Sequence, residues 1–285
     1  MERHEKSFLM RIWGARGSIP TPGSKTVRYG GNTPCIEVRC GGQLIILDAG
    51  SGIREFGLEL KKEEPVDAAI LFSHLHWDHI QGFPFFAPAF TRANRFKIYA
   101  KRQLNATLES LMAGQMMYPH FPKTLDDMDA EMSFHELDHG ETIQIGDARI
   151  KCCPANHPDG CIVFRIDYEG RSLVYATDTE HFDCIDPVLK EVSQDADCLI
   201  YDAMYTDDEY EGRNGEMPRK GWGHSTWQEG VSLARAAGAK RLVLFHHAPW
   251  HDDDFIAAYE AEAREVFPET YAAYEGLAFD LNPQG

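Results

Sequence analysis

What this sequence lacks narrows it first. No cluster of Lys and Arg occurs in it: 28 basic residues stand against 45 acidic ones, for a formal net charge of -17. Gripping a long polyanion by its backbone needs clustered basic side chains, so no long nucleic acid is expected as a partner. No apolar run reaches the length of about 18 residues that a membrane helix needs, and no membrane partner is expected. The opening, MERHEKSFLMRIWG, lacks the apolar stretch of about 7–15 residues that marks a signal peptide. Seven cysteines form no disulfide framework; Cys35, Cys40, Cys161 and Cys198 fall in strand-like segments. Reduced, buried thiols in a cytoplasmic protein are the expectation. The vicinal pair Cys152-Cys153 reads as a strand end rather than a redox centre. No Ser/Pro-rich linker divides the chain, so residues 1–285 are expected to form one domain with a full core, 43% of the residues being apolar.

What is present is a repeated order of elements. Met10–Trp13 reads as a strand, followed by a Gly/Pro-rich loop through Arg16, Ser18 and Asn32. Cys35–Arg39 and Leu44–Leu47 form a hairpin about Gly41-Gly42 that ends at Asp48. Ala68–Phe72 is the next strand and runs into Ser73-His74. The second half has a hairpin of Cys161–Asp167 and Leu173–Thr177 that ends at Asp178, then a strand, Cys198–Tyr201. Thr226–Ala237 is a helix stopped by Gly238, and Arg241–Phe245 is a strand ending in His246-His247. A helix near Asp254–Val266 and a strand near Ala278–Leu281 close the chain. This order predicts an α/β fold of two similar β-rich halves packed face to face, helices outside, with strand ends meeting along one edge. Residues 83–138 are the least regular. They hold a helix near Leu104–Met117 and a loop, Tyr118–Pro122, placed to overhang the site as a lid.

The strongest chemical signal is His74-x-His76-x-Asp78-His79, four potential ligands directly after a buried strand. On a strand-to-loop turn, neighbouring side chains diverge and can serve two adjacent cations. Imidazole with carboxylate suits Zn²⁺ or Mn²⁺, with Fe²⁺ also compatible.

This motif resembles the signature of the metallo-β-lactamase superfamily, and the resemblance extends over nearly the whole chain. The family's other motifs match Asp48 in Leu-Asp-Ala-Gly, His157 in Ala-Asn-His-Pro, Asp178 in Ala-Thr-Asp-Thr and His246 in Leu-Phe-His-His. The resemblance implies an αββα sandwich and two divalent metal ions. His74, His76 and His157 would hold one ion, Asp78, His79 and His246 the other, and Asp178 both, with Asp48 orienting the ligands. His247 is the alternative to His246 as the last ligand.

Asp178 stands where true β-lactamases carry a cysteine. Gly221-Trp222-Gly223-His224-Ser225-Thr226 is similar to the phosphodiesterase branch, which includes tRNase Z, the phosphodiesterase of the carbon–phosphorus lyase pathway and a cyclic-nucleotide phosphodiesterase-like group. By that resemblance a hydroxide shared by the two ions attacks phosphorus, with Asp78 at the metals. His224, oriented by Asp202, would assist the leaving oxygen. The bland alternative is that Ser225 caps the following helix and His224 is incidental. Arg16, Ser18 and Asn32 either contact the phosphate or satisfy loop backbone. The expected substrate is a small phosphodiester such as a cyclic nucleotide. The alternatives are tRNA 3′-end processing, thioester or lactone hydrolysis, and a non-enzymatic metal sensor. RNA-processing relatives carry a tRNA-gripping arm between the third-motif His and the bridging Asp, and here one short hairpin fills that interval. A homodimer follows from family habit alone.

Overall fold

Two hairpins seed two sheets. In the computed structural model, which describes residues 7–215 and 217–282, β1 (Phe8–Gly14), β2 (Cys35–Cys40) and β3 (Gln43–Leu47) run antiparallel in sequence. The strands β4 (Asp67–Leu71), β5 (Arg95–Lys101) and β6 (Glu131–Leu137) then add in parallel. The second sheet repeats the plan. In it β7 (Thr142–Ile145), β8 (Ala148–Ala155), β9 (Cys161–Tyr168) and β10 (Arg171–Ala176) are antiparallel neighbours. To these β11 (Cys198–Asp202), β12 (Leu242–Phe245) and β13 (Thr270–Ala272) add in parallel. The last strand, β14 (Ala278–Asp280), returns to pair with β1. The orders are 14-1-2-3-4-5-6 and 13-12-11-10-9-8-7.

Alternation along the strands decides the layers. Ile45, Leu47 and Leu71 of the first sheet meet Phe164, Tyr175, Val243 and Phe245 of the second in the central core. Ile46, Ile70 and Phe72 face the other way, onto Ile53 and Phe56 of α1 (Ile53–Leu60). On the far side Val174, Leu199 and Leu244 pack against α6 (Trp227–Ala237) and α7 (Asp253–Val266). The result is the αββα sandwich. Shorter helices are α2 (Trp77–Ile80), α3 (Leu108–Gly114), α4 (Pro187–Val192) and α5 (Asp207–Glu211).

Three expectations need correction. Residues 83–138 are not irregular throughout: β5 and β6 lie there as the outer parallel strands of the first sheet. Apolar and polar residues alternate along β5, with Phe96, Ile98 and Ala100 buried. Phe121 of the Tyr118–Pro122 loop packs edge-on against Phe85. Cys152-Cys153 lies inside β8, where alternation sends Cys152 to the central core and Cys153 to the outer one, so the thiols diverge. Finally, the topological counterpart of β4 is β11, not β12, so Ser73-His74 corresponds to Asp202 rather than to His246.

Of the seven thiols, six are buried and Cys184 is exposed. The charged start, Met1–Lys6, lies outside the described residues. No helix among those described is long and apolar enough to cross a membrane.

Candidate metal centre

The parallel strands deliver their polar residues to one edge. Asp48 follows β3, Ser73 and His74 follow β4, Asp178 follows β10, Asp202 ends β11 and His246 follows β12. Three of these turns need a left-handed backbone: φ is 58° at Asp48, 48° at Asp178 and 63° at His246. Such conformations cost about 1–3 kcal/mol each and persist where surrounding packing over-determines them. His246 is held by close approach, since any Cβ on Gly17 would collide with its ring.

Asp48 is wholly buried and its carboxylate accepts four hydrogen bonds. The donors are Ser73 N at 2.7 Å, Ser73 Oγ at 2.8 Å, Tyr175 Oη at 2.7 Å and His79 Nδ1 at 2.7 Å. With Nδ1 donating to Asp48, the Nε2 of His79 is the nitrogen turned into the cluster, 3.4 Å from Asp78 Oδ2, 3.3 Å from Asp178 Oδ1 and 3.3 Å from His246 Nε2. His157 is fixed the same way. Its Nδ1 donates to the Gly223 carbonyl at 2.7 Å, so Nε2 offers a lone pair toward His76 Nδ1 at 3.1 Å. The buried Nε2 of His74 has no hydrogen-bond partner among the described residues.

Imidazole nitrogens and carboxylate oxygens converging at this spacing form a cage that suits cations. The donor atoms of His74, His76 and His157 lie within 4.8 Å of one another, as do those of Asp78, His79 and His246. Asp178 spans both groups. Its Oδ2 lies 3.6 Å from His74 Nε2 and 3.8 Å from His157 Nε2, and its Oδ1 3.3 Å from His79 Nε2 and 3.4 Å from His246 Nε2. This donor set fits two divalent ions that share one carboxylate.

The electrostatics agree with that fit. Burial drives His74 far below its usual pKa and so favours a neutral ring, the form able to bind a metal ion. Burial works to raise Asp178, but the imidazoles of His246, His79 and His74 outweigh it and keep the carboxyl ionised. Burial would also lower His79, yet Asp78, Asp178 and Asp48 lift it well above its usual value. Carboxylates that would hold a proton on that ring can hold a metal cation in its place.

Beside the cage, His224 Nδ1 donates to Asp202 Oδ2 at 2.8 Å, and its ring stacks on His246 at 5.0 Å. Burial opposes protonation, but Asp202 overcomes it and raises His224 to about 9. Ser225 does not cap α6. Thr226 does, accepting from Glu229 N, while Ser225 Oγ bonds His181 Nδ1 at 2.8 Å and Tyr201 Oη at 2.9 Å.

Not every sequence candidate joins the cluster. His247 turns away: Nε2 donates to the Ala273 carbonyl at 2.8 Å and Nδ1 accepts from Tyr259 Oη at 2.5 Å. Burial, with Arg16 nearby, lowers its pKa to about 3. Arg16 is buried, and its guanidinium donates to the carbonyls of Gly30, Ala248 and His251. It satisfies loop backbone and cannot reach a phosphate. Asn32 Oδ1 accepts from Ser51 Oγ, and its carbonyl accepts the amides of Ala15 and Arg16, again a loop function. Ser18 does reach the cage, but through its amide, which donates to Asp78 Oδ2 at 2.7 Å.

Glu180 went unnoticed in the sequence. Its carboxylate accepts Gly221 N at 2.6 Å, Gly223 N at 2.9 Å and Tyr210 Oη at 2.8 Å, and so pins the turn that carries His224 and the carbonyl that orients His157. The one available signal was its place two residues after Asp178.

Comparison with known proteins agrees with this geometry. A family model described as a beta-lactamase superfamily domain matches residues 43–247. In sequence the chain is similar to the ribonuclease Z of Salinibacter ruber, 27% identical over 296 positions that cover 85% of this chain and 87% of that one. It is also similar to the ribonuclease Z of Halobacterium salinarum, 26% identical over 322 positions that cover 97% of each. In structure it shares the fold of the metallo-beta-lactamase fold protein YhfI from Bacillus subtilis, with a TM-score of 0.71 at 20% identity, covering 96% of this chain and 99% of that one.

Proposed function

The chain belongs to the beta-lactamase superfamily, and from that premise we propose that it is a metal-dependent phosphodiesterase with a dinuclear centre. The observation that carries this is Asp178 facing two imidazole groups with its two oxygens, beside a His224 whose Nδ1 is engaged by Asp202. His74, His76 and His157 would hold one ion, Asp78, His79 and His246 the second, and Asp178 would join them. Bound there, the ions supply Lewis acidity to the phosphoryl oxygens and lower the pKa of water. The rest is the work of the chain. Asp48 and the Gly223 carbonyl fix the imidazoles, the Ser18 amide steadies Asp78, and Asp202 keeps a proton on His224. With Nδ1 engaged, His224 delivers its other proton from Nε2 to the departing oxygen.

Among substrates, the sequence relatives favour RNA. Both are named ribonuclease Z and match along most or nearly all of their length, so precursor tRNA comes first, ahead of the small diester that net charge suggested. Net charge is the weaker guide, because it counts carboxylates that serve the metals or never face substrate. The small diester remains the second reading on one specific observation. Only the β9–β10 hairpin lies between His157 and Asp178, and the Halobacterium alignment spans 322 positions against 285 residues here, so that relative has segments this chain lacks. Protein of measured metal content, assayed on precursor tRNA, cyclic and bis-aryl phosphodiesters, a thioester and a lactone, decides. Turnover of the thioester or lactone alone, or of nothing, refutes the phosphodiesterase proposal.

A further inference from the structure

Beside His224 the surface carries an aromatic platform that the metal chemistry does not use. Gly221 and Gly223 flank Trp222 with φ of 85° and 83°, and a Cβ at Gly223 would collide with His157 and Pro158. The turn therefore needs glycine at both places, and it turns Trp222 outward, 52% exposed. Trp250, on the loop after His246, is 51% exposed. Its Nε1 donates to Glu209 Oε1 at 2.9 Å, and His251 Nε2 holds the same oxygen at 2.8 Å. The ring is thereby fixed rather than free to turn. The Arg219 guanidinium lies 4.4 Å from the Trp250 ring, 5.2 Å from Tyr205 and 5.8 Å from Trp222. Tyr205 connects the group to the site, 6.0 Å edge-on from the His224 ring and 6.3 Å from Trp250 at an interplanar angle of 15°.

Two half-exposed indoles beside one guanidinium, that of Trp250 held by its hydrogen bond to Glu209, are suited to a flat partner. Every nucleobase has a π face to stack on an indole and on a guanidinium plane. We propose that Trp250 and Trp222, with Arg219 between them, bind a nucleobase of the substrate and make the enzyme selective for nucleoside phosphate esters. This rests on the phosphodiesterase reading above and adds the specificity for one side of the diester.

The test compares adenosine 5′-monophosphate with ribose 5-phosphate, two ligands that share the phosphate and differ by the base. Calorimetric titration of the metal-loaded protein should show the nucleotide binding tighter by about 5–150-fold, the effect of stacking one base. Trp250→Leu and Trp222→Leu should each move that ratio severalfold toward one with metal content intact, and Trp250→Phe should keep part of it. A ratio near one in the unaltered protein overturns the platform, as does an unchanged ratio in both leucine variants. Hydrolysis of methyl nitrophenyl phosphate, which has no base, separates the two failures. Turnover of that ester with a ratio near one sinks the platform alone. No turnover of any diester and no binding of either phosphate sinks the phosphodiesterase reading with it.

Discussion

Asp48 and Asp178 occupy equivalent places in the two halves of the molecule. Each follows the second strand of a hairpin, each is buried, and each adopts a left-handed backbone. Their surroundings divide them. Asp48 is saturated by four donors from Ser73, His79 and Tyr175, and a carboxylate so occupied has no lone pair to spare for a metal. Asp178 accepts one short bond, from Thr177 Oγ1 at 2.5 Å, and otherwise faces imidazole nitrogens. One backbone device thus presents a hydrogen-bonded carboxylate in the first half and, in the second, the carboxylate proposed to bridge the cations. The choice lies in which donors the neighbouring strand supplies. β4 is followed by Ser73, which donates to Asp48, while its counterpart β11 ends in Asp202, which holds His224 and leaves Asp178 facing the imidazoles.

The sharpest way to break this comparison is to remove each aspartate. Asp178→Ala should reduce tightly bound metal to at most one ion per chain and bring activity to background, measured by elemental analysis after reconstitution with Zn²⁺ or Mn²⁺. Retention of two ions would remove Asp178 from its bridging role. His224→Ala ranks next and tests the partner of β11's terminal acid. It should keep both ions yet lose about 10²–10⁴-fold on a nucleotide diester, whose alkoxide needs a proton. The loss should be far smaller on a nitrophenyl diester, whose leaving group departs without one. Equal losses on both substrates would make His224 a phosphate binder, and a lost ion would make it a ligand. Asp48→Ala should be milder than either, about 10–100-fold in metal affinity or activity, the usual cost of losing an orienting partner. Metal loss matching Asp178→Ala would erase the distinction between the halves.

How much of this could be read from the sequence follows the same division. Strands with continuous apolar runs, such as Leu44–Leu47 and Leu242–Phe245, were legible because both faces are buried, and the ligands were legible because they follow those strands directly. β5 to β7 carry no such continuous runs: apolar residues alternate with polar ones along them. Residues acting through backbone were also hidden. The amide of Ser18 and the carbonyl of Gly223 leave no side-chain signature, and Arg16 reads the same whether it meets a phosphate or three carbonyls. The pairing of β4 with β11 lay in sheet order, which local pattern does not encode.

Glu180 gives the smallest expected effect and the finest probe of the second half. Its two oxygens accept three donors, two of them the amides of Gly221 and Gly223, so it acts on His224 and His157 only through the turn between them. Glu180→Gln keeps the size but replaces one acceptor by an NH₂ group, which then faces a donor. Hydrogen bonds to a charged acceptor are worth about 1.5–3 kcal/mol against about 1 for neutral ones, so the turn should loosen without unfolding. Activity on a nucleotide diester should fall severalfold while metal content holds, and the loss should again be smaller on a nitrophenyl diester. If Glu180 works by placing His224, this leaving-group dependence must vanish in the double variant with His224→Ala, because no imidazole is left to misplace. Persistence of the dependence there would show that Glu180 acts on the reaction by a separate route, and losses equal on both substrates would assign it to general stability of the loop.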